Sequence, residues 1–359
     1  MIGGAGTIGS SFIKSLLPFQ PASLVVVDYS ENGLTELTRD LRSQNIFIPS
    51  EYITYPFDFG AKVFERLFDE REFDIIACFA AHKHVRSEKD HLAIEAMIRN
   101  NVFNTRNLLE LTLHNPPDHF FCVSTDKAAN PVNVMGASKK LMEKVLMSYT
   151  SEINISTARF ANVAFSNGSL LAGFIERMMK RQPLSAPNDV KRYFVSPEES
   201  GQLCLLACIL GASGDIFFPK LKEEQMLTFS HIAEAFLVEM GLEADHCKSE
   251  QEAKDKAAEW TPDKSQYPVY FFKTDTSGEK PYEEFYDKND SLDMETFNAL
   301  GIIRNNKKSD KIQINKILNE FDDLFENDQL DKVKIIGLLS KYLSDFTHIE
   351  TGKSLDQKM

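Results

Sequence analysis

From residue 7 to about 160, apolar runs of strand length alternate with stretches of helix length: SLVVVD, YITYPF, FDIIACFAA, HFFCVSTD and ISTARF succeed one another with amphipathic segments between them. Strands this apolar are buried on both faces, and a parallel sheet covered by helices on each side provides that burial. A doubly wound, Rossmann-like α/β fold is the expectation for this half of the chain. Sheets of this kind take ligands at the carboxyl ends of their strands, so the residues that follow each run are where chemistry is sought.

GGAGTIG places Gly3, Gly6 and Gly9 three residues apart before a helical run. At that spacing backbone amides and a helix N-terminus can approach a pyrophosphate. Alone the pattern is a weak sign, and a structural turn explains it nearly as well. SLVVVD strengthens it by ending in Asp28, about twenty residues on, where a carboxylate can bind the adenosine ribose hydroxyls. An acid there repels the extra phosphate of NADP, so NAD is the expected cofactor. Such a fold needs a central strand before the glycine loop, and only Met1 and Ile2 precede Gly3. The first strand is therefore expected to be missing, with the reading frame starting downstream of it, since losing a middle strand exposes two strand edges.

Beyond about residue 165 the pattern loosens into helices, short strands and polar loops, and Lys248 to Lys264 reads as loop or frayed helix. After Lys307 it becomes helical again, with Ile314, Ile317, Leu318, Phe321, Leu324 and Phe325 at three- and four-residue spacing, a helix expected to pack on its own body. The expected division is an NAD-binding domain over 1–165, with later segments returning to it, a smaller substrate-binding lobe mainly over 166–305, and a helical extension over 306–359. A formal charge of −13 disfavours nucleic acid as a partner. No run of about 18 uncharged apolar residues occurs, and the expectation is a soluble cytoplasmic protein. The five cysteines, Cys78, Cys122, Cys204, Cys208 and Cys247, read as structural thiols, because no partners stand at a zinc-site spacing. His82 and His84 likewise lack a third ligand, and no metal is expected.

VSTDKAANPVNVMGASKK, from Val123 to Lys140, follows the apolar run HFFCVS, so Ser124 and Thr125 sit at the edge of the sheet where ligands bind. Met135 comes ten residues after Thr125, and Lys139 one helical turn later on the same face. The spacing is that of Tyr-x-x-x-Lys with methionine in the tyrosine place. An ordinary amphipathic helix would explain Lys139 and Lys140 as solvated charges, but not the whole run.

The run resembles the signature of extended short-chain dehydrogenases that act as nucleotide-activated N-acetylglucosamine 4,6-dehydratases in bacterial surface-glycan synthesis. GGAGTIG, AAHKHVRSEKD, TARFANVAFSNGSLL, KRYFVSPEESGQLCL, DIFFPKL, TSGEKPYEEFY and HIETGKSLDQKM extend the resemblance along essentially the whole chain, to a soluble branch associated with the legionaminic acid pathway. The resemblance implies that NAD takes a hydride from carbon 4 of the sugar, that water leaves across carbons 5 and 6, and that the hydride returns to carbon 6. It assigns Asp126 as the acid and Lys127 as the base of the elimination, beside Thr125, Met135 and Lys139. Methionine has no ionisable proton, so the carbon 4 proton must go to Thr125, Lys139, a water or Asp126. The resemblance further implies retained configuration at carbon 5, as in the branches that carry methionine.

Further residues follow from the same resemblance. Ile8, Asp58, Ala80, Ala81 and Lys83 are implied cofactor contacts, Lys83 touching the sugar as well, and Asn101 orders the catalytic lysine through water. Asn162, Ser169, Arg192 and Glu279 are implied contacts of the nucleotide sugar. Thr276 and Ser277 replace an Arg-Pro pair usual before Gly-Glu-Lys, which leaves UDP and GDP both open. Relatives associate, so a homo-oligomer is expected. The competing readings are a nucleotide-sugar epimerase or oxidoreductase and a catalytically silent NAD- or nucleotide-sugar-binding protein.

Overall fold

The computed structural model describes residues 1–275, 277, 278, 280, 282–304, 309–327 and 329–350, with Arg86 described by its backbone. The chain begins with α1 (Thr7–Leu16), β1 (Ser23–Val27), α2 (Glu31–Arg42), β2 (Glu51–Tyr55), α3 (Lys62–Glu70) and β3 (Ile75–Cys78). It continues through α4 (His91–Ile98), α5 (Asn104–Thr112), β4 (His119–Val123), α6 (Val134–Ser148) and β5 (Ile155–Ala158). Next come β6 (Asn162–Val163), α7 (Leu170–Met179), β7 (Leu184–Pro187), β8 (Lys191–Arg192), β9 (Phe194–Val195), α8 (Pro197–Leu210) and β10 (Asp215–Pro219). The last part holds β11 (Leu227–Thr228), α9 (Phe229–Glu239), β12 (Glu243–His246), α10 (Glu250–Ala258), β13 (Gln266–Phe272), β14 (Leu292–Asp293), β15 (Leu300–Arg304), α11 (Lys311–Phe325) and α12 (Lys332–Tyr342).

Two compact units share these elements. The first takes Met1–Phe160, Glu198–Lys220 and Glu284–His348, and the second takes Ala161–Pro197 and Leu221–Glu283. The units thus do not follow linear cuts at 165 and 305. α8 and β10 return to the first unit because β10 pairs in parallel with β5, and the C-terminal helices return because their apolar stripe enters that unit's core.

In the first unit β3, β4, β5 and β10 run parallel, and β15 and β14 extend the sheet antiparallel. All five residues of β4 are buried, as a strand covered on both faces requires. β1 and β2 pair in parallel beside this sheet. The first strand is not wholly missing, and here the expectation is corrected. Ile2 bridges Val27 on one side and Cys78 on the other. Val27 N donates to Met1 O at 2.8 Å, Gly3 N to Val27 O at 2.8 Å, Ile2 N to Ala77 O at 2.9 Å and Phe79 N to Ile2 O at 2.7 Å. Three residues therefore complete the ladder at the end of the sheet from which the glycine loop departs.

α11 buries Ile314, Ile317, Leu318, Phe321 and Phe325, and these join a core that also holds Ile94, Val102, Leu109, Leu141 and Val145. Each such side chain stabilises the fold by about 1.5–3 kcal/mol on burial. α6 lies in that core, and 13 of its 15 residues are buried, so it is not an amphipathic surface helix. Among the described residues no helix is long and apolar enough to cross a membrane.

The second unit is built on the parallel strands β12, β13 and β7, whose core includes Leu171, Phe174, Leu237 and Tyr267. Within it Lys248 to Lys264 contains a formed helix, α10: Ser249 accepts from Glu252 N at 3.1 Å as its cap, and Ala253 and Ala257 face inward.

Candidate active site

The glycine loop begins at the end of the Met1–Gly3 ladder. Gly3 has φ +74°, and a Cβ there would stand 2.5 Å from Ala80 N, so only glycine fits. A Cβ on Gly9 would meet Gly3 O at 2.4 Å, which fixes the approach of α1 to the loop. Gly6 differs, since its Cβ would meet only Gly3 O, at an ordinary 3.6 Å. Among the described residues none requires glycine at that position, whereas a pyrophosphate lying against the backbone would. Asp28, buried at the end of β1, accepts from Ala5 N at 3.0 Å and from Ser30 N at 2.9 Å. A carboxylate has about four acceptor sites, so this anchoring leaves capacity for ribose hydroxyls. These residues fit a dinucleotide.

The neighbouring candidates vary in how they are placed. Ile8 is half-buried against the core on which Phe12 and Phe121 pack. Asp58 is exposed after β2 and closes a local turn by accepting from Gly60 N at 2.7 Å. Ala80, Ala81 and Lys83 lie in the loop after β3. Asn101 is buried and clamps that loop: its Oδ1 accepts from His82 N at 2.8 Å, and its Nδ2 donates to His82 O at 2.9 Å and to Ser138 Oγ at 3.0 Å. Asn101 therefore ties the loop to α6 through Ser138.

The Thr125–Lys127 turn leaves the end of β4. Thr125 Oγ1 donates to Asp126 Oδ1 at 2.7 Å, and Lys127 Nζ stands 3.3 Å from both Asp126 oxygens. Asp126 is 3% exposed, and its backbone N donates to Phe160 O at 3.1 Å. A hydroxyl, a buried carboxylate and an ammonium thus form one connected chain of proton-carrying groups.

α6 brings Met135 and Lys139 to the same unit, both buried. Lys139 Nζ donates to Val123 O at 2.8 Å and lies 3.2 Å from Met142 Sδ. Burial pushes its ammonium below the ordinary lysine value, with the Cys122 and Cys78 thiols and the Glu143 carboxylate pulling the other way. Lys139 is therefore no solvated charge, and Lys140 is paired with Asp345 at 3.3 Å.

Two residues that the sequence reading missed, Glu143 and Arg159, support this arrangement together with Ser124. Ser124 Oγ donates to Glu143 Oε1 at 2.6 Å, while Arg159 Nε and Nη2 donate to the two oxygens of Glu143 at 2.9 and 2.7 Å. Burial alone would raise the Glu143 carboxyl, but the Arg159 guanidinium outweighs it and holds the group below its ordinary value. The available signal was spacing, since Glu143 follows Lys139 by one helical turn.

In the second unit Asn162 Nδ2 donates to Glu283 Oε1 at 2.6 Å, Arg192 Nε lies 3.4 Å from the same oxygen, and Tyr193 N donates to Glu283 Oε2 at 3.2 Å. Asn162 and Arg192 thus meet at one buried carboxylate. Ser169 caps α7 by accepting from Ala172 N at 3.2 Å. Glu279 and Thr276 lie outside the described residues.

The chain is 35% identical over 226 residues to an uncharacterized membrane protein, MJ1061, of Methanocaldococcus jannaschii, covering 61% of this chain and 65% of that one. The matched stretch is thus just under two thirds of that relative's length. It is 27% identical over 239 residues to a UDP-N-acetylglucosamine 4,6-dehydratase (inverting) of Campylobacter jejuni, covering 64% of this chain and 68% of the other. The fold is similar to that of DesIV, a dTDP-glucose 4,6-dehydratase of Streptomyces venezuelae with NAD and TYD bound, at a TM-score of 0.59 and 20% identity over 80% of this chain and 87% of DesIV. A single family description, polysaccharide biosynthesis protein, matches residues 1–305, from the glycine loop through the Thr125–Lys127 turn and α6 to the end of β15, and the chain belongs to that family.

Proposed function

We propose that the protein is a nucleotide-sugar 4,6-dehydratase that converts UDP- or GDP-N-acetylglucosamine to its 4-keto-6-deoxy form with retained carbon 5 configuration, as a step in making a bacterial surface glycan of the legionaminic acid type. The observation that carries the proposal is the contiguous Thr125–Asp126–Lys127 chain, with its carboxylate buried at the end of β4. NAD, when bound, supplies reversible hydride acceptance from carbon 4 and delivery to carbon 6. Gly3, Gly6, Gly9 and Asp28 would hold it.

Proton handling belongs to the chain's own residues. The resting ion pair enters the cycle when Lys127 loses one proton, leaving a neutral amine beside the Asp126 carboxylate. As carbon 4 is oxidised, its hydroxyl proton passes to Thr125 Oγ1 while the Thr125 proton passes along the 2.7 Å hydrogen bond to Asp126. Asp126 becomes the acid and no tyrosine is needed, which accommodates Met135. The carbon 4 ketone acidifies the proton on carbon 5. Lys127 takes that proton, the carbon 6–oxygen bond breaks, and the Asp126 proton leaves with the hydroxyl as water. The ammonium of Lys127 then returns a proton to carbon 5 as hydride arrives at carbon 6, restoring amine and carboxylate. An epimerase has no use for an acid at carbon 6, so the Asp126–Lys127 pair favours elimination. Incubation with NAD and UDP- or GDP-N-acetylglucosamine, read by mass spectrometry, tests the proposal: loss of one water from either sugar supports it, and no loss from both contradicts it.

A further inference from the structure

The first amides of α6 have no partner within the helix. Asn133 Oδ1 accepts from Gly136 N at 2.7 Å, the usual work of an N-cap. The amide of Met135 is taken from 47 positions away, where Glu88 Oε1 accepts it at 3.2 Å. Glu88 is 8% exposed, and its other oxygen lies 3.4 Å from Nε2 of His348. The segment that ends in His348 meets α6 and its approach at two more points: Thr347 N donates to Pro131 O, just before the helix, at 3.1 Å, and Asp345 pairs with Lys140, about two turns into it, at 3.3 Å. Leu343 and Phe346 are buried in the core beneath it.

A buried carboxylate is costly unless its charge is answered, and here the positive end of the α6 dipole and the His348 ring both face it. None of these groups takes part in the proton path described above. We propose that Glu88 is a positioning residue: it caps α6 through the Met135 amide, is itself held by His348, and so fixes where Met135 and Lys139 stand relative to the Thr125–Lys127 turn. The segment from Leu343 to His348 is then a support of the active site. This proposal rests on reading α6 as the active-site helix.

The test uses protein labelled with carbon-13 at the methionine methyls, with Met135→Leu identifying the Met135 signal. In Glu88→Ala the Met135 methyl resonance shifts, kcat falls about ten- to hundredfold, and KM for the nucleotide sugar moves by less than about threefold. Glu88→Gln keeps an oxygen that can accept the amide and restores both the resonance and most of kcat. His348→Ala falls between the two. An unmoved Met135 methyl in Glu88→Ala, an unchanged kcat, or a Glu88→Gln variant as impaired as Glu88→Ala overturns the proposal. The methyl signal needs no substrate, so a shifted resonance in a protein that dehydrates neither sugar supports the cap while counting against the activity. If Glu88→Ala does not fold, Glu88→Gln and His348→Ala carry the same readouts.

Discussion

Thr125 Oγ1 donates a 2.7 Å hydrogen bond to Oδ1 of the adjacent Asp126, and in the proposed mechanism that bond relays the proton from carbon 4 to the acid of the elimination. Thr125→Ala removes the relay and is expected to slow the first hydride transfer about 10²–10⁴-fold, the usual share of a positioned acid–base group. Thr125→Ser keeps the hydroxyl and stays within about tenfold of the wild type. Single-turnover appearance of reduced nicotinamide measures both. Equal rates in the alanine and serine variants would remove Thr125 from the path.

The glycine loop separates folding from binding. Gly6→Ala meets no close neighbour and is expected to change stability by less than about 1 kcal/mol, while NAD affinity falls. Gly3→Ala is strained by its positive φ and by Ala80, so it loses stability even without cofactor. Chemical denaturation beside calorimetric NAD titration separates the two. An unaltered NAD affinity in Gly6→Ala would argue against a pyrophosphate at that position.

Glu143 answers the buried charge of Arg159 and holds Ser124. Glu143→Gln leaves the guanidinium without its partner and is expected to cost about 3–5 kcal/mol at neutral pH. The sign of the pH effect follows from the folded carboxyl lying below its unfolded value. The pair's stabilisation is present above the unfolded carboxyl range and is lost as pH falls through the lower, folded value. The gap between wild type and variant in urea midpoint should therefore narrow on acidification. A gap that widens would contradict the assignment.

Phe321 on α11 is fully buried in the core beside α6. Phe321→Ala is expected to destabilise the first unit by about 3–5 kcal/mol. Denaturation curves check this value, and a cost under about 1 kcal/mol would show that α11 does not carry the core as placed.

Much of this was legible in local sequence. β1, β3, β4 and β5 announced themselves because apolar runs buried on both faces leave an unbroken signature, and α11 because Ile314, Ile317, Leu318, Phe321 and Phe325 fall on one stripe. What was hidden depended on residues far apart in the chain. Arg159 meets Glu143 across 16 positions, and Glu88 meets Met135 across 47. α10 was obscured by its charge, since only two small alanines mark its inner face. The Met1–Gly3 stub was missed because three residues make no periodic pattern, although they pair on both sides.

The division of labour between Asp126 and Lys127 is tested most directly in Lys127→Ala, mixed in heavy water with NAD and whichever of UDP- or GDP-N-acetylglucosamine the wild type dehydrates. The predicted result is that reduced nicotinamide accumulates, because carbon 4 is still oxidised through Thr125 and Asp126, while no deuterium enters carbon 5 and no water is lost. Deuterium appearing at carbon 5 at the wild-type rate would contradict Lys127 as the base.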